Sequence, residues 1–122
     1  MANVSFVTPE MVQNAYDTVT ICLGTFYPAQ YAYEDFKADL EALAAKALYI
    51  DNVIEGKNVA ERSARSREKF VDEYADLDTL KARANAAKLA LDLANIEKSR
   101  VNALLRLAEI TVQAEANEHP AE

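Results

Sequence analysis

Residues 77–115 read LDTLKARANAAKLALDLANIEKSRVNALLRLAEITVQAE, and they are the strongest evidence in the chain for its fold class. The stretch contains neither glycine nor proline. Its apolar residues recur at spacings of three and four, which places them along one side of an α-helix. The residues on this side form a seam: Leu80, Ala84, Ala87, Leu91, Ala94, Val101, Leu105, Ala108 and Val112. The pattern predicts one long helix over residues 77–115.

A second row of apolar residues lies beside this seam on the same predicted helix. We call this row the second stripe, and it consists of Leu89, Leu93, Ile96, Leu104, Leu107 and Ile110. A helix that is apolar over so wide an arc needs two neighbours, from the same chain or from another copy. We therefore expect the second stripe to mediate self-association, and we expect the protein to be a homo-oligomer.

The segment before residue 56 predicts two helices. Thr8 is suited to an N-cap and Pro9 to the first helical position, while Gly24 is a C-terminal stop signal, so the first helix is expected over residues 9–23. A heptad pattern then predicts a second helix over residues 28–54. Its seam consists of Ala29, Tyr33, Phe36, Leu40, Leu43, Ala47, Ile50 and Ile54.

A short helix is expected next, over residues 59–73. Asn58 and Glu61 have the spacing of a capping box at its start. The acidic run from Asp72 to Thr79 predicts a break before the long helix, because Asp and Thr cap helices better than they extend them.

These elements predict an all-α fold. We expect residues 1–114 to form a single domain, an elongated helical hairpin or antiparallel coiled-coil-like bundle with an extra N-terminal helix. Residues 115–122 are expected to form a disordered tail.

The composition argues against catalysis. Among 122 residues there is one cysteine, Cys22, and one histidine, His119. We therefore expect no catalytic nucleophile with a general base beside it. Cys22 falls on an apolar helix face and His119 in the expected tail. With 2 glycines, no glycine-rich phosphate loop is available. No Glu-x-x-His pair for a metal is present either. We therefore predict a non-enzymatic protein without a cofactor or metal.

The same sequence predicts a cytoplasmic protein that does not cross a membrane. The N-terminal residues have neither the basic start nor the apolar run of a secretory signal. Charged residues interrupt every apolar stretch before it reaches the roughly 20 residues that a membrane-spanning helix needs.

The net charge of −7 is unevenly distributed. Residues 1–56 carry −6, residues 57–106 carry +3 and residues 107–122 carry −4. Within the basic part, Arg62, Arg65 and Lys69 share one predicted helix face, and Lys57 lies just before it. These four residues are candidates for contact with nucleic acid or another anion. Glu61 and Glu68 lie among them, so an ordinary solvated helix surface or an ion-pair interface is the favoured alternative.

A further comparison rests on the turn Gly56-Lys57-Asn58 followed by Glu61-Arg62, then by an acidic break and a long Ala/Leu-rich helix. Over residues 36–110 the chain resembles small helical-hairpin proteins encoded in phage and prophage genomes. The resemblance implies an accessory role in recombination or in countering host defence, and it implies no catalytic residues.

The expected function is that of a self-associating interaction protein, as a phage accessory or regulatory factor. Two alternatives stay open. One is a nucleic-acid-binding accessory of the recombination type that uses residues 57–69. The other is an acidic inhibitor of a host nuclease or defence protein, whose protein partner the acidic ends would recognise.

Overall fold

The computed structural model describes residues 7–50 and 54–118, and within these ranges it contains three helices and no strand. The helices are α1 (Pro9–Tyr49), α2 (Val59–Lys69) and α3 (Val71–Glu118). The prediction of an all-α fold in which long helices pack against each other is confirmed. No helix in the described ranges has a stretch long and apolar enough to cross a bilayer.

The helices form two compact units. Unit 1 comprises the chain up to Thr25 together with the chain from Lys88 onward, and unit 2 comprises Phe26–Ala87. Each unit therefore contains part of α1 and part of α3.

The two units have different cores. In unit 1 the buried hydrophobic residues are small or β-branched: Ala15 and Val19 from α1, and Ala94 and Val101 from α3. Small side chains let two helix axes approach closely. The core of unit 2 is a cluster of Leu40, Ala47, Ile54 and Phe70, with Phe36, Ala44, Leu48, Tyr74 and Leu77 packed against it. Unit 2 therefore buries larger side chains in addition to the small Ala84 and Ala87.

The predicted seam of α3 faces inward. Its members Ala84, Ala87, Ala94 and Val101 are buried, and most of the others are half-buried. Val112 is the exception, since it is exposed. The heptad pattern therefore identified the inner face of this helix correctly over most of its length.

Both predicted N-caps are present. The backbone N–H of Met11 donates to Thr8 Oγ1 at 3.2 Å, and that of Glu61 donates to Asn58 Oδ1 at 2.8 Å. The Glu61 carboxylate reaches back to accept from the backbone N–H of Lys57 at 3.2 Å. These bonds satisfy backbone donors that lack partners inside the helix, which explains why both helices begin where the sequence predicted.

The predicted break between residues 23 and 28 is wrong. Gly24 and Pro28 both lie inside α1, which is continuous for 41 residues. Glycine and proline disfavour a helix interior by roughly 1 and 3 kcal/mol, and apolar packing on both sides of the pair offsets such costs. Both residues are exposed, so water can reach the Gly24 carbonyl, which Pro28 cannot bind because it has no N–H. A separate N-terminal helix over residues 9–23 therefore does not exist.

The break between the two later helices also lies elsewhere than predicted. α2 ends at Lys69 rather than at residue 73, and α3 begins at Val71 rather than at residue 77. The single residue between them is Phe70, whose φ of −110° and ψ of 38° are not helical. Its side chain is part of the unit 2 core. Burial of this aromatic ring therefore determines the position of the break.

The acidic run has a different role from the one predicted. Asp72 and Glu73 occupy the first turn of α3, where their charges stabilise the positive end of the helix dipole. The run therefore starts a helix, whereas the sequence had suggested an interruption.

The remaining helix ends were also predicted inaccurately. α1 ends at Tyr49 rather than at residue 54, and Ile54 belongs to the following loop while still packing in the unit 2 core. Residues 51–53 lie outside the described residues. α3 continues to Glu118, so the first four residues of the predicted tail, 115–118, are helical. Residues 119–122, including His119, lie outside the described residues.

Candidate self-association surface and basic segment

The second stripe lies on the outer face of α3 within unit 1. Five of its six side chains are between 52% and 65% exposed: Leu89, Leu93, Ile96, Leu107 and Ile110. Leu104 is half-buried. Ile96 and the buried Val101 are five residues apart, which separates them by about 140° around a helix. α3 therefore buries one apolar face inside unit 1 and leaves a second one open.

An ion pair lies in the middle of this surface. Arg100 Nε donates to Glu97 Oε2 at 2.8 Å, and Arg100 Nη2 donates to Glu97 Oε1 at 2.6 Å. The hydrogen bonds from Arg100 lower the pKa of the Glu97 carboxyl, and the same bonds raise the pKa of Arg100. This two-pronged contact holds the guanidinium toward one side of the stripe.

This pair was not predicted from the sequence. Arg100 follows Ile96 by four residues, a spacing that would continue the apolar row. The sequence did contain a signal for the ion pair, because a charged residue stands at this position three residues after a carboxylate. The residue therefore belongs to the surface and interrupts its apolar character.

The inner side of the same part of α3 contacts α1 through polar groups as well. Asn102 Nδ2 donates to the Tyr16 hydroxyl oxygen at 3.2 Å. Lys98 Nζ lies 5.3 Å from the centre of the Tyr16 ring, a cation–π arrangement. Lys98 occupies the position between Ala94 and Val101 on the heptad seam, and the Tyr16 ring lies beside its charge there.

The candidate anion-binding residues lie in and before α2. Lys57 is exposed in the loop before the helix, and Arg65 and Lys69 are exposed on it, while Arg62 is half-buried. Arg65 pairs with Glu61 at 3.4 Å. Lys69 lies 5.8 Å from the centre of the Phe70 ring. The structure therefore places all four in one short region, with Arg65 already in contact with a carboxylate.

A groove of about 400 Å³ borders this region in unit 2. Leu48 and Ile54 contribute to its apolar wall, and Arg62 and Arg67 line its polar side. Ser66 Oγ lies buried at its edge and makes no hydrogen bond within the described residues. Arg67 stacks its guanidinium 5.0 Å from the centre of the Tyr74 ring. This groove was not predicted from the sequence.

Groups suited to catalysis or metal binding are scarce in what the structure describes. Residues 7–50 and 54–118 contain no cluster of three or more His, Cys, Asp or Glu side chains arranged to hold a metal ion. Cys22 is a half-buried free thiol on α1. The second stripe and the basic residues within 57–69 are therefore the candidate functional surfaces.

Comparison with known proteins adds no relative. No protein-family model, no curated protein and no solved structure matches this chain.

Proposed function

We propose that this chain is a non-enzymatic interaction protein that self-associates through the second stripe. The supporting observation is that α3 exposes five large apolar side chains along one face while its other face is covered by α1 within unit 1. Contiguous exposed apolar surface of this kind marks sites of protein association in soluble proteins. A second copy presents the same kind of surface.

The size of this surface supports a dimer. Burying a fully exposed Leu or Ile side chain contributes about 1.5–3 kcal/mol, and these side chains are a little more than half exposed. Ten such side chains in two copies therefore contribute roughly 10 kcal/mol. Against the estimated cost of association, about 4–15 kcal/mol, this gain leaves at most about 6 kcal/mol of net binding free energy, so we expect a weak dimer with a dissociation constant on the order of tens of micromolar or higher.

The local charge also permits contact between copies. The whole chain carries −7, but residues 88–115 contain four bases and four acids and are neutral. The bases are Lys88, Lys98, Arg100 and Arg106, and the acids are Asp92, Glu97, Glu109 and Glu115. Two copies that meet along this part of α3 therefore avoid the repulsion that their net charges would produce elsewhere.

Sedimentation velocity over a range of protein concentrations tests this proposal. The native chain should shift from monomer to dimer as the concentration rises. L93E and L107E place a charge in the contact and should remain monomeric at concentrations where the native chain associates. V71E is the matched control, because it introduces the same charge at an exposed apolar residue of α3 outside the stripe. A native chain that stays monomeric throughout would refute the proposal.

Nucleic-acid binding by residues 57–69 is the second candidate. It is favoured by Lys57, Arg62 and Lys69, none of which forms an ion pair with a described residue, although Glu61 already holds Arg65. The expected outcome is salt-sensitive binding to single- or double-stranded nucleic acid that is lost when Arg62, Arg65 and Lys69 are all replaced by Ala. Absence of binding at low salt removes this candidate.

The wider setting, an accessory or regulatory factor of a phage, is supported by the resemblance of residues 36–110 alone. An inhibitory role toward a basic host protein is supported only by the acidic residues near both ends of the chain.

A further inference from the structure

We infer that a second copy of this chain binds the second stripe in the antiparallel direction, with Arg100 of each copy facing Ala103 of the other. The inference rests on the proposed self-association and specifies its geometry. It follows from the spacing, size and charge of the residues along the outer face of α3.

The outer face of α3 carries a regular heptad. Spacings of four and three residues alternate without exception along eight positions: Leu89, Leu93, Ile96, Arg100, Ala103, Leu107, Ile110 and Ala114. Leu104 lies beside this row. An unbroken heptad is the pattern by which two helices pack along their lengths. Large apolar residues stand toward both ends, and the central positions hold one arginine and one alanine.

Antiparallel pairing matches the large residues with each other. If Arg100 faces Ala103 of the second copy, the positions four and seven residues away come into register as well. Ile96 then faces Leu107, and Leu93 faces Ile110. Twofold symmetry repeats each of these contacts, so four layers contain only large apolar side chains.

The same register accommodates the central arginine. Ala103 has a small side chain, which leaves room for the aliphatic part of Arg100 from the other copy. The guanidinium stays bound to Glu97 on its own helix, as it is in the single chain. A parallel pair in register would instead place Arg100 against Arg100 and Ala103 against Ala103, which brings like charges together and leaves a gap between the alanines.

The charges along α3 favour the same direction. Residues 88–101 contain three bases and two acids, for a net charge of +1, and residues 102–115 contain one base and two acids, for a net charge of −1. Antiparallel pairing places each half opposite the half of opposite sign. It also points the two helix dipoles in opposite directions, which is favourable. Parallel pairing would place halves of the same net charge side by side and would point both dipoles in the same direction.

Disulfide trapping tests the direction. In a C22S background, which removes the native thiol, cysteines are introduced as I96C alone, L107C alone and both together. Antiparallel pairing predicts a covalent dimer from the double variant under oxidising conditions and none from either single variant, since Ile96 of one copy faces Leu107 of the other. E109C is the control, because Glu109 is exposed on α3 outside the heptad row, and it should give no covalent dimer.

The outcomes separate this inference from the function on which it rests. If the I96C and L107C single variants each cross-link to themselves, the pairing is parallel and the inference is overturned while self-association stands. If the double variant does not cross-link although sedimentation shows a dimer sensitive to L93E, the register is wrong. If the native chain is a monomer at every concentration, both proposals fall together. Cross-linking by the double variant alone, without cross-linking by E109C, supports the antiparallel register.

Discussion

Gly24 and Gly56, the two glycines of the chain, lie in opposite surroundings. Gly24 lies inside α1, and a Cβ added there would meet nothing within 4 Å. Gly56 lies in the loop before α2, where a Cβ would fall 2.9 Å from the backbone nitrogen of Arg62 and 2.8 Å from its Cγ. The backbone of Gly56 therefore packs directly against the first turn of α2.

This difference predicts opposite effects of the same substitution. G24A should raise the free energy of unfolding by about 0.5–1 kcal/mol, because alanine is favoured over glycine in a helix interior. G56A should lower it by roughly 1–3 kcal/mol, because backbone atoms must move to make room. Urea unfolding monitored by circular dichroism measures both. Equal effects of the two substitutions would show that the close approach at Gly56 is not a constraint.

The Glu97 carboxyl provides a second test at this scale. Its hydrogen bonds from Arg100 lower its pKa below the ordinary value of 4.5. A lowered pKa means that the ion pair stabilises the folded helix above pH 4.5 and that this contribution is lost as the pH falls through the carboxyl's own pKa. A carbon-detected NMR titration should give a midpoint below 4.5 for Glu97, and R100Q should move the midpoint upward. An unchanged midpoint in R100Q would contradict the assigned cause.

At the scale of the helices, Pro28 is the least favourable residue in α1. It leaves the Gly24 carbonyl without its helical donor, and proline costs roughly 3 kcal/mol in a helix interior. P28A should therefore raise the free energy of unfolding by about 1–3 kcal/mol and leave the helical content unchanged or higher. P9A serves as the control, because Pro9 occupies the first helical position, where proline costs little. Destabilisation by P28A would show that the surrounding structure depends on proline at this position.

The helix ends show how far local signals predicted the elements. Thr8 and Asn58 were identified correctly because a cap depends on a hydrogen bond to a residue three positions away. Gly24, Pro28 and the run from Asp72 were misread because their effect depends on packing elsewhere in the chain. The true interruption, at Phe70, carries no local breaker at all, since it results from burial among residues of α1 and the loop.

At the scale of the whole molecule, the sequence predicted the all-α class and both apolar faces of α3, because periodicity follows from the geometry of the helix alone. It did not predict the pairing of Arg100 with Glu97 or the groove beside Ser66. Those features depend on side-chain conformations and on contacts between distant parts of the chain. The second stripe was accessible from sequence, whereas the heptad that includes Arg100 and Ala103 became evident once the exposed face of α3 was known.

Salt dependence separates the two candidate functions of the molecule. Copies that carry −7 each repel, and added salt screens this repulsion, so self-association through a neutral apolar surface should be unchanged or tighter at high salt. Nucleic-acid binding through Lys57, Arg62, Arg65 and Lys69 would instead weaken about 100-fold for a fourfold rise in salt, if all four contact phosphates. Sedimentation and binding measured across the same salt series provide the comparison. Self-association that weakens steeply with salt would mean that charge pairs hold the copies together.

The buried hydroxyl group of Ser66 affects how stable the fold can become. An alcohol enclosed by protein gives up its contact with water, and here no acceptor or donor in the described chain replaces that contact. Removal of the oxygen by S66A should therefore preserve or raise the melting temperature, because the hydration lost by the hydroxyl on folding no longer opposes folding. A lower melting temperature in S66A would mean that the hydroxyl has a partner after all. One conservative replacement at this position can therefore make the fold more stable than it is in the native chain.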